Sequence, residues 1–312
     1  MVTYTLNRLF WLIPTLLVMS AIVFLVAKNT PGSPFDPSNF GANALSEEQL
    51  ANINVKYGLD KPLWVQYRNF LWNALHLDFG TSYVYKTRDV SDILKQTLPI
   101  SLQLGMLAMI LAIVVGTILG TLAAINQNSM IDYLSAGIAV LGTSLPNFVI
   151  AVLLVLVFSL TLKWLPPIGW ETSQPKTLIL PTLVLAAFPI AVITRYTRAS
   201  MVDVIRSDFV RTARAKGLAE RRIITGHVMK NSLIPVITVI GPLFAAVGTG
   251  SFVVEQIFAI NGMGKFFVTS MVTKDQPMIM AVILCYGVFL SIMNLVVDLL
   301  YGVLDPRIRL QS

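Results

Sequence analysis

Residues 207–217 read SDFVRTARAKG and gather Arg211, Arg214 and Lys216 beside Asp208, in a chain of which 12% is charged. Guanidinium and ammonium groups at this density recognise carboxylates or phosphates. The small residues Ala213, Ala215 and Gly217 among them let another surface approach closely. Cations alone would fix topology and touch anionic headgroups. Cations interleaved with small residues predict a docking peg as well, with Thr212 on the same segment. A second group, Thr143, Ser144 and Asn147, surrounds Pro146. It offers adaptable hydrogen bonding where a helix should break, either to line a pathway or to bind a neighbouring helix. A third consists of two carboxylates at the ends of apolar stretches. Asp298, near the inner end of its span, is expected within reach of water or of Arg307 or Arg309, and Glu255 either lines an outer turn or marks the interface. Intramembrane acids are candidates for function by default. His76, His227 and the single Cys285 are isolated. There is no G-x-x-x-x-G-K-[ST], H-E-x-x-H or G-x-S-x-G, so no catalytic residue and no metal site is expected.

The elements that must hold these residues are membrane helices. Of 312 residues, 55% are hydrophobic and the mean hydropathy is +0.72, more than a soluble domain of this length needs for its core. Stretches of roughly 20 apolar residues span a bilayer. Six qualify: 9–27, 98–125, 134–162, 178–196, 233–255 and 279–301, with Pro146, Pro189 and Pro242 expected to break or bend three of them. The first resembles a signal peptide but is too long and has no clear cleavage site, so it is read as an uncleaved helix.

Orientation follows from Lys and Arg in short loops. Placing both termini in the cytoplasm puts twelve cations inside, nine of them between Arg195 and Lys230, against Lys163, Lys176, Lys265 and Lys274 in the short outer loops. The remaining seven lie in an outer loop, 28–97, where seven acids balance them. Its aromatics recur at helical spacing, predicting short helices that form a lid. The net charge of +7 alternates with apolar spans and does not describe a nucleic-acid module. The fold class is an all-α integral membrane protein in contact with lipid.

Within the inner loop, Ser207 or Asp208 can cap a short exposed helix that Gly217 ends in the left-handed conformation. A second helix resumes over AERRIITGHVMKNSL and should stop before Pro235, with Ile223, Ile224 and Val228 on its apolar side.

RTARAKGL resembles the cytoplasmic loop of ABC importer permeases in the form that it takes in the peptide and nickel branch. The general pattern of Glu-Ala-Ala, three residues, then Gly falls on Arg211, Thr212, Ala213 and Gly217, of which Ala213 and Gly217 match. The resemblance extends along the chain. RLFWLIPTLLVMSAIVFLV, PGSPF at 31–35, KYGLDKPLWVQY at 56–67, LDFGTS at 77–82, ILPTLVL at 179–185, VVEQIFAINGMG at 253–264 and VVDLLYGVLDPRIR at 296–309 are similar to oligopeptide permeases of that branch. Asn261 stands where the family usually has proline.

The resemblance implies a type I ABC importer permease forming one transmembrane domain over 1–312. Its parts would be a long periplasmic loop, a coupling loop over 197–232 and a tail at 302–312. It implies ATPase-coupling residues Asp208, Arg211, Thr212, Ala213, Arg214, Lys216 and Gly217. Implied partners are a second, related permease subunit, two ATPase subunits that bind ATP and Mg, an outer solute-binding protein and a peptide substrate. Dipeptides, nickel or glutathione are alternative cargoes. An ion-coupled secondary transporter would need carboxylates at mid-depth. An intramembrane hydrolase would need a charged pair at depth.

Overall fold

The computed structural model describes residues 2–29, 35, 47–85, 88–248 and 251–304. Thirteen α-helices are found there, and the described residues contain no strand, only an isolated bridge between Thr81 and Asp89. Five helices are long and apolar enough to cross a membrane, and a sixth span results if one bent pair is counted together. The chain divides into two compact units.

The larger unit comprises 101–261 and 289–312, with residues 1–8. Its centre is α7, Lys176–Ile205, which buries Leu180, Val184, Leu185, Ala186, Ala191, Ile193 and Met201. Around it stand α4 (Val90–Ile125), α5 (Met130–Ser144), α6 (Asn147–Leu154) and α10 (Met229–Gly248). Lipid tails are as apolar as leucine, so helices in a bilayer associate through close packing at small residues. Three glycines show this. A Cβ on Gly116 would lie 2.8 Å from Ile193 Cβ, one on Gly120 2.6 Å from Thr197 Cβ, and one on Gly142 2.6 Å from the Ala187 carbonyl oxygen. Gly120→Leu is therefore expected to lower the melting temperature in detergent and the yield of folded protein, since overpacking costs about 1–3 kcal/mol. Gly137→Leu, at a glycine with nothing within 4 Å of its Cβ, should leave both unchanged. Fluorescence-detected size exclusion over a temperature ramp checks the pair.

The smaller unit comprises 9–100 and 262–288. Most of α1 (Val2–Asn29) belongs to it, with Phe10, Trp11, Val18 and Ile22 exposed as a lipid-facing helix requires. The expected short helices of the long loop are α2 (Glu47–Tyr57) and α3 (Leu63–Leu75). Tyr67 ties α3 to α1, its hydroxyl donating to the Leu17 carbonyl at 3.0 Å and lying 2.9 Å from Ser20 Oγ. The first turns of α4 pack Val90, Ile93 and Leu94 against Met263 and Phe266 of α12 (Met263–Thr273) and Met278 of α13 (Gln276–Leu304). Buried Asp275 accepts bonds from Ser82 Oγ and from the Tyr83 amide, pinning the loop before α4. Burial pushes the Tyr83 phenol well above its ordinary range, with Asp275 and Tyr57 adding to the effect, so the ring stays neutral among Phe35 and Tyr57.

The span boundaries differ from the sequence expectation in physical ways. The third span is not one helix: α5 and the segment Asn147–Thr161 are bent by 114° at the break. Leu145 is extended (ψ 128°), as the residue before a proline prefers to be. Pro189 and Pro242, expected to break or bend two other spans, lie inside the uninterrupted helices α7 and α10. Packing on both sides of a lost backbone bond can hold a membrane helix together. The fifth span ends at Gly248, not 255, and α11 (Phe252–Ile257) is a separate short helix. Pro235 does not stop the helix before it but lies inside α10.

Candidate functional site

The basic inner segment is a short helix, α8, Asp208–Ala215, between two turns. Ser207 stands at its N-cap position, but its hydroxyl donates to the Val204 carbonyl at 2.6 Å and makes no cap bond. The Ser207 carbonyl instead accepts from the amides of Val210 and Arg211, both at 3.2 Å. Asp208 in the first turn complements the positive end of the helix. At the other end Gly217 has φ +76°, the left-handed residue that its type suggested. Its amide donates to the Arg214 carbonyl at 2.9 Å and the Leu218 amide to the Ala213 carbonyl at 3.3 Å, the paired bonds of a Schellman turn.

One face of α8 is closed by the chain itself. Val210 and Ala213 are buried with Ala124 at the end of α4, Met201 near the end of α7, and Ile223 and Val228 of the next segment. That segment is α9, Glu220–Ile223, which widens into a π-helical stretch at Ile224–Val228 before α10. Leu218 packs on the same cluster. Burying one side chain of the size of Met201 or Ile223 contributes ~1.5–3 kcal/mol. The helix is thus fastened to the inner ends of three long elements.

The other face is open. Phe209 is 46% exposed, and Arg211, Thr212, Ala215, Lys216 and Gly217 are exposed around it. Two residues expected at the partner contact are engaged by their own chain. Ala213, expected at a partner contact, is buried against its own chain, because the spacing from Val210 puts both on the inward side. Arg214, expected to meet a foreign acid, donates through Nε (3.1 Å) and Nη2 (2.5 Å) to Glu220. This fork raises the Arg214 pKa above its ordinary value and orients the turn. Arg211 lies 3.5 Å from Asp208 in water, where such a pair contributes little. Phe209 is the outward residue that sequence reasoning missed. The signal was an aromatic directly after Asp208 at the start of a short, charged helix.

The other predicted residues do not converge on this surface. The Thr143 hydroxyl donates back to the carbonyls of Ala139 (3.0 Å) and Val140 (3.1 Å), Ser144 is exposed, and Asn147 starts α6 behind Pro146. Glu255, expected at the outer end of the fifth span, sits on α11, wholly buried, and accepts from Ser101 Oγ at 2.7 Å. Asp298 falls on α13, but its side chain lies outside the described residues, as do Arg307 and Arg309. No group of three metal-binding side chains meets among the described residues.

The comparisons with known proteins run the length of the chain. Residues 112–310 match the model described as "Binding-protein-dependent transport system inner membrane component", and residues 1–105 match that of its N-terminal region. The dipeptide transport system permease protein DppB of Bacillus subtilis is 44% identical over all of this chain and 99% of its own length. The oligopeptide transport system permease protein OppB of Salmonella typhimurium is 42% identical over 99% of this chain and 100% of its own. Among solved structures, the methionine ABC transporter MetNI in inward-facing conformations gives a TM-score of 0.54 at 13% identity, covering 68% of this chain and 96% of the other. That likeness establishes the fold alone.

Proposed function

The chain belongs to the family of binding-protein-dependent transport system inner membrane components and is a multi-pass protein of that membrane; from this premise we propose that it is the permease subunit of an ATP-driven importer of peptides. The named relatives divide between dipeptide and oligopeptide systems, which supports a peptide cargo. Residues that recognise amides and two charged ends serve either length; we read the cargo as oligopeptides.

The observation that carries the mechanism is α8. A helix whose inward face is buried on the ends of α4, α7 and α9, and whose outward face presents an aromatic with Arg211, Thr212 and Lys216, is built to transmit a push. The excess of twelve cations over four puts it on the cytoplasmic side. There it docks on a separate ATPase subunit, which binds the ATP and Mg that this chain has no phosphate loop to hold. A second, related permease subunit completes the pathway, two ATPases lie below and a solute-binding protein delivers cargo above. ATPase closure moves α8 and the inner ends of the spans with it. Because a partner shifts a two-state equilibrium only by its differential affinity, a few kcal/mol between inward and outward states suffices.

The test is purification of the full chain in mild detergent, followed by vesicle uptake of peptides of graded length. Co-purification of an ATPase and a related permease, with ATP-dependent peptide uptake, is the expected result. Recovery of the chain alone, or uptake driven by an ion gradient without ATP, would sink the reading.

A further inference from the structure

An ion pair between a buried carboxylate and a half-exposed guanidinium (38% exposed), on the same side as α8, takes no part in that docking surface. Arg198 of α7 donates Nε to Asp132 Oδ1 at 2.5 Å and Nη2 to Oδ2 at 2.7 Å. The Asp132 side chain is 5% exposed and also accepts from the Asn128 amide at 3.0 Å, while the Ser129 hydroxyl accepts from its own amide. We propose that Asp132 and Arg198 are a positioning pair that carries the displacement of α8 into the bent span α5–α6, so that movement at the docking surface opens the pathway at the Leu145–Pro146 break. This rests on the permease reading above.

The path is continuous. Val210 and Ala213 of α8 share a buried cluster with Met201, three residues along α7 from Arg198. Displacement of α8 must therefore move the inner end of α7. That end clasps the first turn of α5 through Asp132, and the turn before α5 through Arg206 Nη2 to Gln127 Oε1 at 3.4 Å. Near its far end α5 has no slack against α7, since Gly142 leaves no room for even a methyl group beside Ala187 and Ala191. A 15-residue rod held at its start ends two residues before Pro146, and at that break the chain turns by 114°. A shift at Asp132 is thus felt as rotation at the break.

Energetics argue for transmission over stability. A forked guanidinium–carboxylate pair fixes both distance and angle, which an apolar contact does not. Yet replacing both members of a buried pair by apolar side chains is often neutral or stabilising, whereas removing one leaves an uncompensated charge. A merely structural pair is dispensable as a pair. A transmitting pair is not.

The experiment uses the full complex in vesicles and reads peptide taken up per ATP hydrolysed. Asp132→Leu combined with Arg198→Met is expected to assemble, hydrolyse ATP and respond to the binding protein, with the ratio lowered about tenfold, within the usual range of coupling energies. The milder Arg198→Lys keeps the charge, loses the fork and is expected to lower the ratio several-fold. An unchanged ratio in either variant overturns the proposal, as does a parallel loss of hydrolysis and uptake. Failure of the permease reading looks different: the wild-type chain would show no ATP-coupled uptake at all.

Discussion

Phe209→Ala is expected to lower ATP-dependent peptide uptake by at least ~30-fold while leaving the amount of protein in the membrane unchanged; a central aromatic anchor in a protein interface contributes about 2 kcal/mol or more. Phe209 is nearly half exposed on the outward face of α8 and is absent from the cluster that fastens the helix. Its removal therefore costs the fold little. What it removes is the one large apolar group that α8 exposes to a partner, on the side of the helix that it shares with Thr212 and Lys216. Phe209→Trp keeps an aromatic anchor and should retain most uptake. Arg211→Ala, an exposed cation already beside Asp208, should mainly change how uptake depends on salt. Immunoblotting of membranes, co-purified ATPase and vesicle uptake check the series. Wild-type uptake in Phe209→Ala would show that the outward face of α8 is not the docking surface.

The second large effect is at Gly217. Gly217→Pro should abolish uptake and ATPase association without reducing insertion, because no membrane span contains the position. Proline holds φ near −65° and has no amide hydrogen. Gly217 needs φ +76° and donates to the Arg214 carbonyl. Without that turn Leu218 leaves the buried cluster, and α8 loses its fixed angle to α9. Gly217→Ala separates conformation from space: nothing lies within 4 Å of the added Cβ, so only the left-handed cost of roughly 1–2 kcal/mol remains. It should keep partial uptake. Equal loss in both variants would point to a steric contact with the partner at this residue, and full activity in the proline variant would exclude the turn from coupling.

Several features were legible in the residues alone because they rest on local physics. Long apolar runs cannot end in water, so the spans and the helices α2 and α3 of the long loop followed from length and periodicity. The left-handed turn at Gly217 followed from its lack of a Cβ, and the break at Pro146 from the clash that makes Leu145 extended. Pro189 and Pro242 show the limit of that logic. The same residue type sits inside continuous helices there, and nothing within a few residues distinguishes the cases.

What a one-dimensional reading could not supply was direction. Ala213 and Phe209 lie four residues apart on one short helix, yet the first is buried and the second faces out. Which way each points depends on Met201, Ile223 and Val228, brought to the same cluster from two other elements. Likewise Arg214 finds its acid six residues on, across a turn, and Glu255 is buried beside Ser101 from a distant helix. Asp132 and Arg198, 66 residues apart, had no signal as a pair. The sequence by itself determined that this is a helical membrane protein with a basic, glycine-closed peg between its fourth and fifth spans, because hydropathy, charge and backbone freedom are properties of single residues and near neighbours. Only the tertiary structure decided which side of the peg is free and what holds the other, because burial and ion pairing are properties of residues that the chain must first bring together.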